Sequence, residues 1–504
     1  MNYIGIDIGS SCTKALVVNE KGKQIYNTQR EYNIVFAKDG SATLNSELVI
    51  KSCFETIKEC SSKVKQGSIK AIGISSQGEA FTAVGSKGKI LNNAKVSSDS
   101  SSRKYIKAWV DKFGEEKLYQ ITGHTAYPIF TLFKLLWFKK NEHELWERSK
   151  YFFCFEDLLQ FKLGVKPAMS WSLAGRTMMF NVRKHEWDEE ILNALGISKE
   201  QLADTLPPGS IVGKMKKVIA DQLGLSEDVL VVTGGHDQTC SALGAGVIKE
   251  GTAMLGSGTV ECICPAFKDP VFSANLKENN LCTYNYSIKD LFTTVAYSLT
   301  GGNLLKWFKE QFGFKEIEEA KSKGKDPYDL LLTGISSTPG NLLVLPYFTP
   351  SGTPYFDDKT KGAIVGLQLS TERKDILKAL LEGISFEMRL NLEILEYAGY
   401  HIRELRWVGG GSKSQLLAQV KANVMNKKIV MLNIQEAGCF GAAMLACSAG
   451  TKKPVKKLAS EWVKKISIIY PQNEYINWYS KRFGLYKELY KNIKSVTLEL
   501  NAYA

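Results

Sequence analysis

Tyr3-Ile4-Gly5-Ile6-Asp7-Ile8-Gly9-Ser10-Ser11-Cys12-Thr13-Lys14-Ala15-Leu16-Val17-Val18 reads as an apolar strand, a tight polar turn and a second apolar strand. A related stretch opens the second half: Ala253-Met254-Leu255-Gly256-Ser257-Gly258-Thr259-Val260-Glu261-Cys262-Ile263. Glycine lets the backbone approach closely, so such a turn can aim N–H groups and hydroxyls at one anion. Two turns facing each other would grip the phosphates of one nucleotide. This pattern predicts a two-lobed enzyme that uses ATP.

The chain has 504 residues, 44% of them hydrophobic. That is too long for one core and suits two domains of about 250 residues. A division near Gly244–Gly251 is expected, giving units 1–245 and 246–504. The net charge is +13, from 65 basic and 52 acidic residues. Lysines and acids alternate along most of the chain, which reads as a solvated surface whose positive field favours anionic ligands. The densest basic stretch, Lys452 to Lys465, carries Leu458, Trp462 and Val463 at helical spacing, an amphipathic helix more than a nucleic-acid arm. A nucleic-acid binder would rest on the charge alone. The ten cysteines are scattered without a CxxC pair, which fits a reducing compartment. A strand begins within three residues of the N-terminus, so no signal peptide is expected. No apolar run reaches the ~18 residues that span a bilayer. The expectation is a soluble, cytoplasmic protein with no membrane or nucleic-acid partner.

Further elements follow from pattern and turn chemistry. Strands are expected at 14–19, 24–31 and 69–75, with a helix over 46–65 and a loop at Ser76-Gln77-Gly78-Glu79. Residues 127–140 and 151–161 read as helical and aromatic. Strand 229–233 runs into Gly234-Gly235-His236-Asp237-Gln238, where a helix starts. In the second half, strand 291–298 and helix 304–312 follow the turn. Ile376, Leu380, Leu381, Ile384, Met388, Leu392 and Leu395 form one stripe on a helix within 371–398. Strand 405–408 meets Gly409-Gly410-Gly411-Ser412, a helix begins near Ser414, and strand 428–432 and helix 437–449 close the pattern.

The second turn, the Gly-Gly-His-Asp-Gln strand end and the Gly409–Ser412 loop, in this order, resemble the FGGY carbohydrate kinases, from Tyr3 to about Gly450. The resemblance implies an α/β fold of two RNase-H-like domains, in the actin-like ATPase arrangement, around a central cleft. It also implies phosphoryl transfer from Mg-ATP to a hydroxyl of a sugar or polyol.

A sugar hydroxyl is a poor nucleophile and must lose its proton as the P–O bond forms; a carboxylate within hydrogen-bond reach can accept it. Asp237 is the candidate base. It follows an apolar strand, two glycines clear space beside it, a helix N-terminus stabilises its ionised form, and it matches the family's catalytic aspartate. The alternative is a plain N-cap. Asp7, before the first turn, can hold Mg²⁺, which prefers oxygen ligands and keeps several waters, or can form an Asx turn. Ser10, Ser11 and Thr13 supply hydroxyls to the phosphates, Gly9 supplies room and Lys14 a positive charge. Gly258 and Thr259 match the family's second phosphate motif. Gly301, Gly302, Gly410, Gly411 and Ser414 fall at the adenosine end.

Gln77, Glu79 and Asp99 fall where relatives place groups that grip substrate hydroxyls, and Gln238 beside the base can add a contact. A solvated loop is the other reading of Gln77, Glu79 and Asp99. His236 reads as structural, because five histidines without metal-like spacing offer no zinc site. The departures from the family lie on the sugar side. Ser97 stands where a tryptophan is common. Gly78-Glu79 replaces the Met-His of xylulose kinases and the Arg-Glu of glycerol kinases. Ile129 replaces a tyrosine of glycerol kinases, and Met169-Ser170-Trp171 lacks an acidic residue. The favoured substrate is a ketopentose such as xylulose, with a polyol such as glycerol or erythritol as the neighbouring reading. A catalytically degenerate actin-like ATP-binding regulatory protein is the alternative of another class. Relatives are often dimers, so a homodimer is compatible with the resemblance.

Overall fold

The structure is a computed structural model describing residues 1–500. The opening stretch folds as its alternation demands. Strand Asn2–Ile8 pairs antiparallel with Cys12–Asn19, setting Asp7 opposite Lys14. Gln24–Glu31 adds an outer strand. On the other side Ile69–Ser76 and then Leu230–His236 lie parallel, and Ile211–Lys214 closes the edge antiparallel. Strands buried on both faces read as near-continuous apolar runs, which is why 3–8 and 69–75 were legible.

The second sheet repeats the first strand for strand. Thr252–Ser257 and Glu261–Pro265 form the hairpin, and Ala296–Ser298 is the outer strand. Glu404–Gly409 and Lys428–Leu432 follow in parallel, and Lys465–Ile469 is the antiparallel edge. Helix Arg373–Tyr397 lies where its stripe predicted. Among the described residues no helix is long and apolar enough to cross a membrane.

Two local expectations fail because tertiary pairing overrides pattern. Tyr151–Phe153 is a strand paired with Thr82–Val84, and the helix starts only at Phe155, where Cys154 and Asp157 form a capping box. Residues 291–298 are not one strand. Phe292–Thr293 pairs with Tyr284–Asn285, and the chain then turns so that Ala296–Ser298 joins the second sheet.

The packing also links the two halves of the sequence. Helix Ala437–Thr451 is apolar on every side and buried over most of its length, as a helix between two packed layers must be. It packs on strands Asn2–Ile8 and Ile69–Ser76 and on helix Asp237–Gly244. Together with helix Val455–Trp462 and the segment around Tyr284, it shares one core with the first sheet. The approach is close: a Cβ on Gly5 would lie 1.8 Å from the Cys439 carbonyl oxygen. Gly5→Ala is therefore expected to lower stability by about 1–3 kcal/mol through overpacking, read as a shifted denaturation midpoint with unchanged slope.

Candidate active site

The base candidate is placed by a break in its own strand. The register of Leu230–His236 against Ile69–Ser76 shifts between Thr233 and Gly235. There the buried Glu156 accepts the Gly234 N–H at 2.8 Å and the Ser170 N–H and hydroxyl at 3.0 and 2.8 Å. Burial pushes the Glu156 carboxyl up to about 7. A Cβ on Gly234 would sit 2.1 Å from the Ile74 oxygen, and one on Gly235 2.4 Å from Ser172 Oγ, so the register shifts where only glycine fits. Asp237 is then the first residue of helix Asp237–Gly244, with His236 at the cap position. Burial, helped by Asp7 and Glu79, pushes its carboxyl up to about 8.

His236, read from sequence as structural, lies against the candidate base. Its Nε2 lies 3.2 Å from Asp237 Oδ1, and its Nδ1 lies 2.9 Å from the Tyr284 hydroxyl.

The first turn projects Ser10 and Ser11 into solvent, while Gly9 N–H donates to Cys12 O at 2.9 Å. Tyr32 and Gln77 both donate to the Gly9 carbonyl, at 2.8 and 2.9 Å, and stiffen the turn. Lys14 pairs with Glu436 at 2.7 Å. Asp7 takes the Ser75 hydroxyl on Oδ1 at 2.7 Å, and burial raises its carboxyl pKa against the pull of Ser75 and Lys14. Its Oδ2 is the atom nearest Gly438, at the start of helix Ala437–Thr451. A buried carboxylate with one oxygen bonded only to a serine hydroxyl suits a magnesium ion, which takes one or two carboxylates together with phosphates and water. Thr13 departs from expectation. It is fully buried, and its hydroxyl meets Tyr32 Oη at 3.2 Å and Cys53 Sγ at 3.8 Å. Strand alternation sends Thr13 into the core while Cys12 and Lys14 take the other face.

In the second hairpin the turn residues Gly258 and Thr259 are exposed. Their carbonyls accept the N–H groups of Gly302 and Asn303, at 2.9 and 3.3 Å. A Cβ on Gly301 would lie 2.7 Å from the Val260 carbonyl carbon, so this glycine pair buttresses the second turn. Trp407 Nε1 donates to Ser257 Oγ at 2.8 Å, Ser257 donates to Glu261 at 3.0 Å, and Lys421 pairs with Glu261. In the glycine loop after strand Glu404–Gly409, Gly410 faces open space and Gly411 lies against Trp407. Ser414 caps helix Gln415–Met425 by accepting from Leu417 N–H.

The sugar-side residues are brought together but mostly bonded to protein. Gln77 is buried, with Oε1 unpartnered. Glu79 has a left-handed backbone (φ 63°). Arg176 Nε donates to its Oε1 at 2.5 Å, with Nη2 on the same oxygen, and Ser97 donates to Oε2 at 2.9 Å. The Glu79 carbonyl accepts from Thr131 and the buried Lys134, at 3.0 and 3.1 Å; burial pushes the Lys134 amine down to about 8. Asp99 does not face the cleft. It is 1% exposed and accepts from Ala42 N–H (3.0 Å), Lys95 Nζ (2.9 Å) and Ser101 Oγ (2.7 Å). Asp99, Ser101 and Lys95 form a buried polar knot, because a desolvated carboxylate needs donors in reach. Gln238 Oε1 accepts from Cys262 Sγ at 3.0 Å, joining the base's helix to the second hairpin.

Arg176, Glu156, Glu436 and Tyr284 were missed. Arg176 left a sign: it is the one charged residue between Ala168 and Val182, and a charge in an apolar run needs a buried partner.

The N-terminal domain model of the FGGY family of carbohydrate kinases matches residues 2–244, and the C-terminal domain model matches residues 253–450. The xylulose kinase of Bacillus subtilis is 28% identical over 510 residues, covering 100% of this chain and 99% of its own length. The gluconokinase of the same organism is 26% identical over 459 residues, covering 89% and 88%. In fold, the chain is similar to a solved xylulose kinase from Lactobacillus acidophilus (TM-score 0.90, 24% identity, 99% of each chain). It is also similar to a glycerol kinase from Plasmodium falciparum (TM-score 0.84, 20% identity, 97% and 98%). With both domain models matched in order over most of its length, the chain belongs to the FGGY family of carbohydrate kinases and is a sugar phosphotransferase.

Proposed function

We propose that this kinase phosphorylates a primary hydroxyl of a ketopentose such as xylulose, with Mg-ATP as donor. The observation that carries the mechanism is the seat of Asp237 between the two hairpins. Asp7 of the first raises its pKa, and its neighbour Gln238 touches Cys262 of the second. The xylulose kinases similar over full length support the sugar.

Asp237 takes the hydroxyl proton as the sugar oxygen bonds to the γ-phosphorus and the bond to the β-phosphate oxygen breaks, releasing ADP. The amides and hydroxyls of Gly9, Ser10 and Ser11, with Gly258 and Thr259, hold the phosphates. Lys14 adds charge from its pair with Glu436. Asp7 would hold the magnesium ion, which when bound neutralises phosphate charge. The loops at Gly410–Gly411 and Gly301–Gly302 border the adenosine. Closure of the lobes excludes water and limits ATP hydrolysis.

A coupled ADP-release assay over ketopentoses, ketohexoses, aldonates, glycerol and four- and five-carbon polyols tests this. Turnover highest on a ketopentose is expected. Highest turnover on a polyol or aldonate overturns the sugar assignment. ATP binding without turnover on any compound favours the regulatory reading.

A further inference from the structure

Asp237 does not stand alone: the His236 ring lies beside it, and Gly78 lies beside that ring. We propose that His236 is a positioning residue that holds the ionised Asp237 carboxylate with its Nε2–H, that Tyr284 supports this tautomer by donating to Nδ1, and that position 78 is glycine to admit the ring. The proposal rests on the reading of Asp237 as the base.

The ring is held from several sides. Its Nδ1 is 2.9 Å from Tyr284 Oη, and its Nε2 is 3.2 Å from Asp237 Oδ1. The backbone N–H of His236 donates to Ser172 Oγ at 3.2 Å, and its carbonyl accepts from Thr239 at 2.8 Å. Tyr284 comes from the second half of the sequence but is fully buried in the first core. It therefore moves with the base's lobe.

The tautomer follows from the two contacts. A neutral imidazole carries one N–H and one lone pair. If Nδ1 held the proton, the Nε2 lone pair would face a carboxylate oxygen at 3.2 Å. If the phenol donates to Nδ1, the N–H faces the carboxylate instead. With Asp237 ionised, as it must be to accept a proton, both contacts are favourable only in the second arrangement. The ring stays neutral because burial, with the nearby Arg176 and His124, disfavours its cation. The other charges facing the pair are Asp7 from the first hairpin and Glu79 from the loop after Ile69–Ser76. His236 therefore takes no proton from the base. It restrains one carboxylate oxygen, which limits the orientations the group can adopt against the sugar hydroxyl.

Gly78 completes the arrangement. A Cβ there would lie 3.0 Å from His236 Cδ2 and 3.1 Å from Nε2, tighter than ordinary contact. A longer side chain at 78 would need the space the ring occupies.

The test joins spectroscopy to kinetics. In the full chain labelled with ¹⁵N-histidine, His236 is identified among the five histidines by the signal lost in His236→Gln. At a pH where Asp237 is ionised, the expected state is neutral with the proton on Nε2, kept there in Tyr284→Phe because the carboxylate partner remains. His236→Ala and Gly78→Met are expected to lower kcat by about 10–100-fold, the scale of a misplaced catalytic group, with KM for ATP unchanged. His236→Gln, which keeps an N–H donor, should recover part of the loss. A proton on Nδ1 in the native chain, or unchanged kcat in His236→Ala, overturns the proposal. So does an equal loss in the Ala and Gln variants. The tautomer is read without turnover, so the proposal can fail while Asp237 remains the base. Full activity of Asp237→Asn would instead remove the reading beneath it.

Discussion

Asp237→Asn is expected to lower sugar-dependent ADP release by about 10²–10⁴-fold, the usual contribution of a positioned general base. The same substitution should stabilise the free protein above neutral pH. The two effects share a cause. Burial and the neighbouring Asp7 and Glu79 raise the folded-state carboxyl from 3.8 to about 8. Between these values the folded state keeps a proton that the unfolded chain has released. Native stability therefore falls as pH rises through that window, and the penalty is complete above it. Asparagine carries no such penalty. The side chain is 24% exposed, so solvent screens part of the effect, and a gain of about 2 kcal/mol at alkaline pH is reasonable. Denaturation at pH 4 and pH 8.5 should show similar stabilities at the lower pH and a more stable variant at the higher. Near-native turnover would show that Asp237 is not the base. A stability difference independent of pH would show that its charge is not what the fold resists.

The second large effect concerns Arg176. Its guanidinium and the Glu79 carboxylate are 9% and 3% exposed, with two nitrogens on one oxygen. Burial works against the arginine's charge, but Glu79 more than offsets it, and the pKa rises above its ordinary value. Arg176→Met leaves a carboxylate in a site that cannot solvate it. Losing one partner of a buried pair costs about 3–5 kcal/mol. The double variant Arg176→Met/Glu79→Gln should recover much of this, because the neutral pair leaves no buried charge. The readout is a double-mutant cycle in denaturant. An additive cycle would mean that the two residues act independently. Because Glu79 is left-handed and its carbonyl is held by Thr131 and Lys134, the single variant should also disturb the loop beside the base and raise KM for the sugar.

How far the site could be read varied with the range of the interaction. Asp7, Gly9, Ser10 and Ser11 belong to one hairpin, and Asp237 follows its own strand and glycines, so short windows carried them. Thr13 was misassigned within such a window, because a turn motif does not say which face of the strand each side chain takes. Asp99 was misassigned because its partners Ala42 and Lys95 lie on other segments that only folding brings together. Gly301 and Gly302, expected at the adenosine end, make their contacts with the second turn.

The sequence by itself determined the repeated hairpin, the parallel strands behind each copy, the helix starting at Asp237 and the long stripe of Arg373–Tyr397. These are set by interactions between residues near in the chain: alternation, turn chemistry and helical periodicity. Tertiary structure alone decided that helix Ala437–Thr451 joins the first core, that Lys14 meets Glu436 422 positions away, and that Glu79 meets Arg176 97 positions away. It also set Tyr284 against His236, 48 positions apart. Such pairs form because a buried charge or polar ring must find a partner once water is excluded, and which partner is within reach depends on the packed fold.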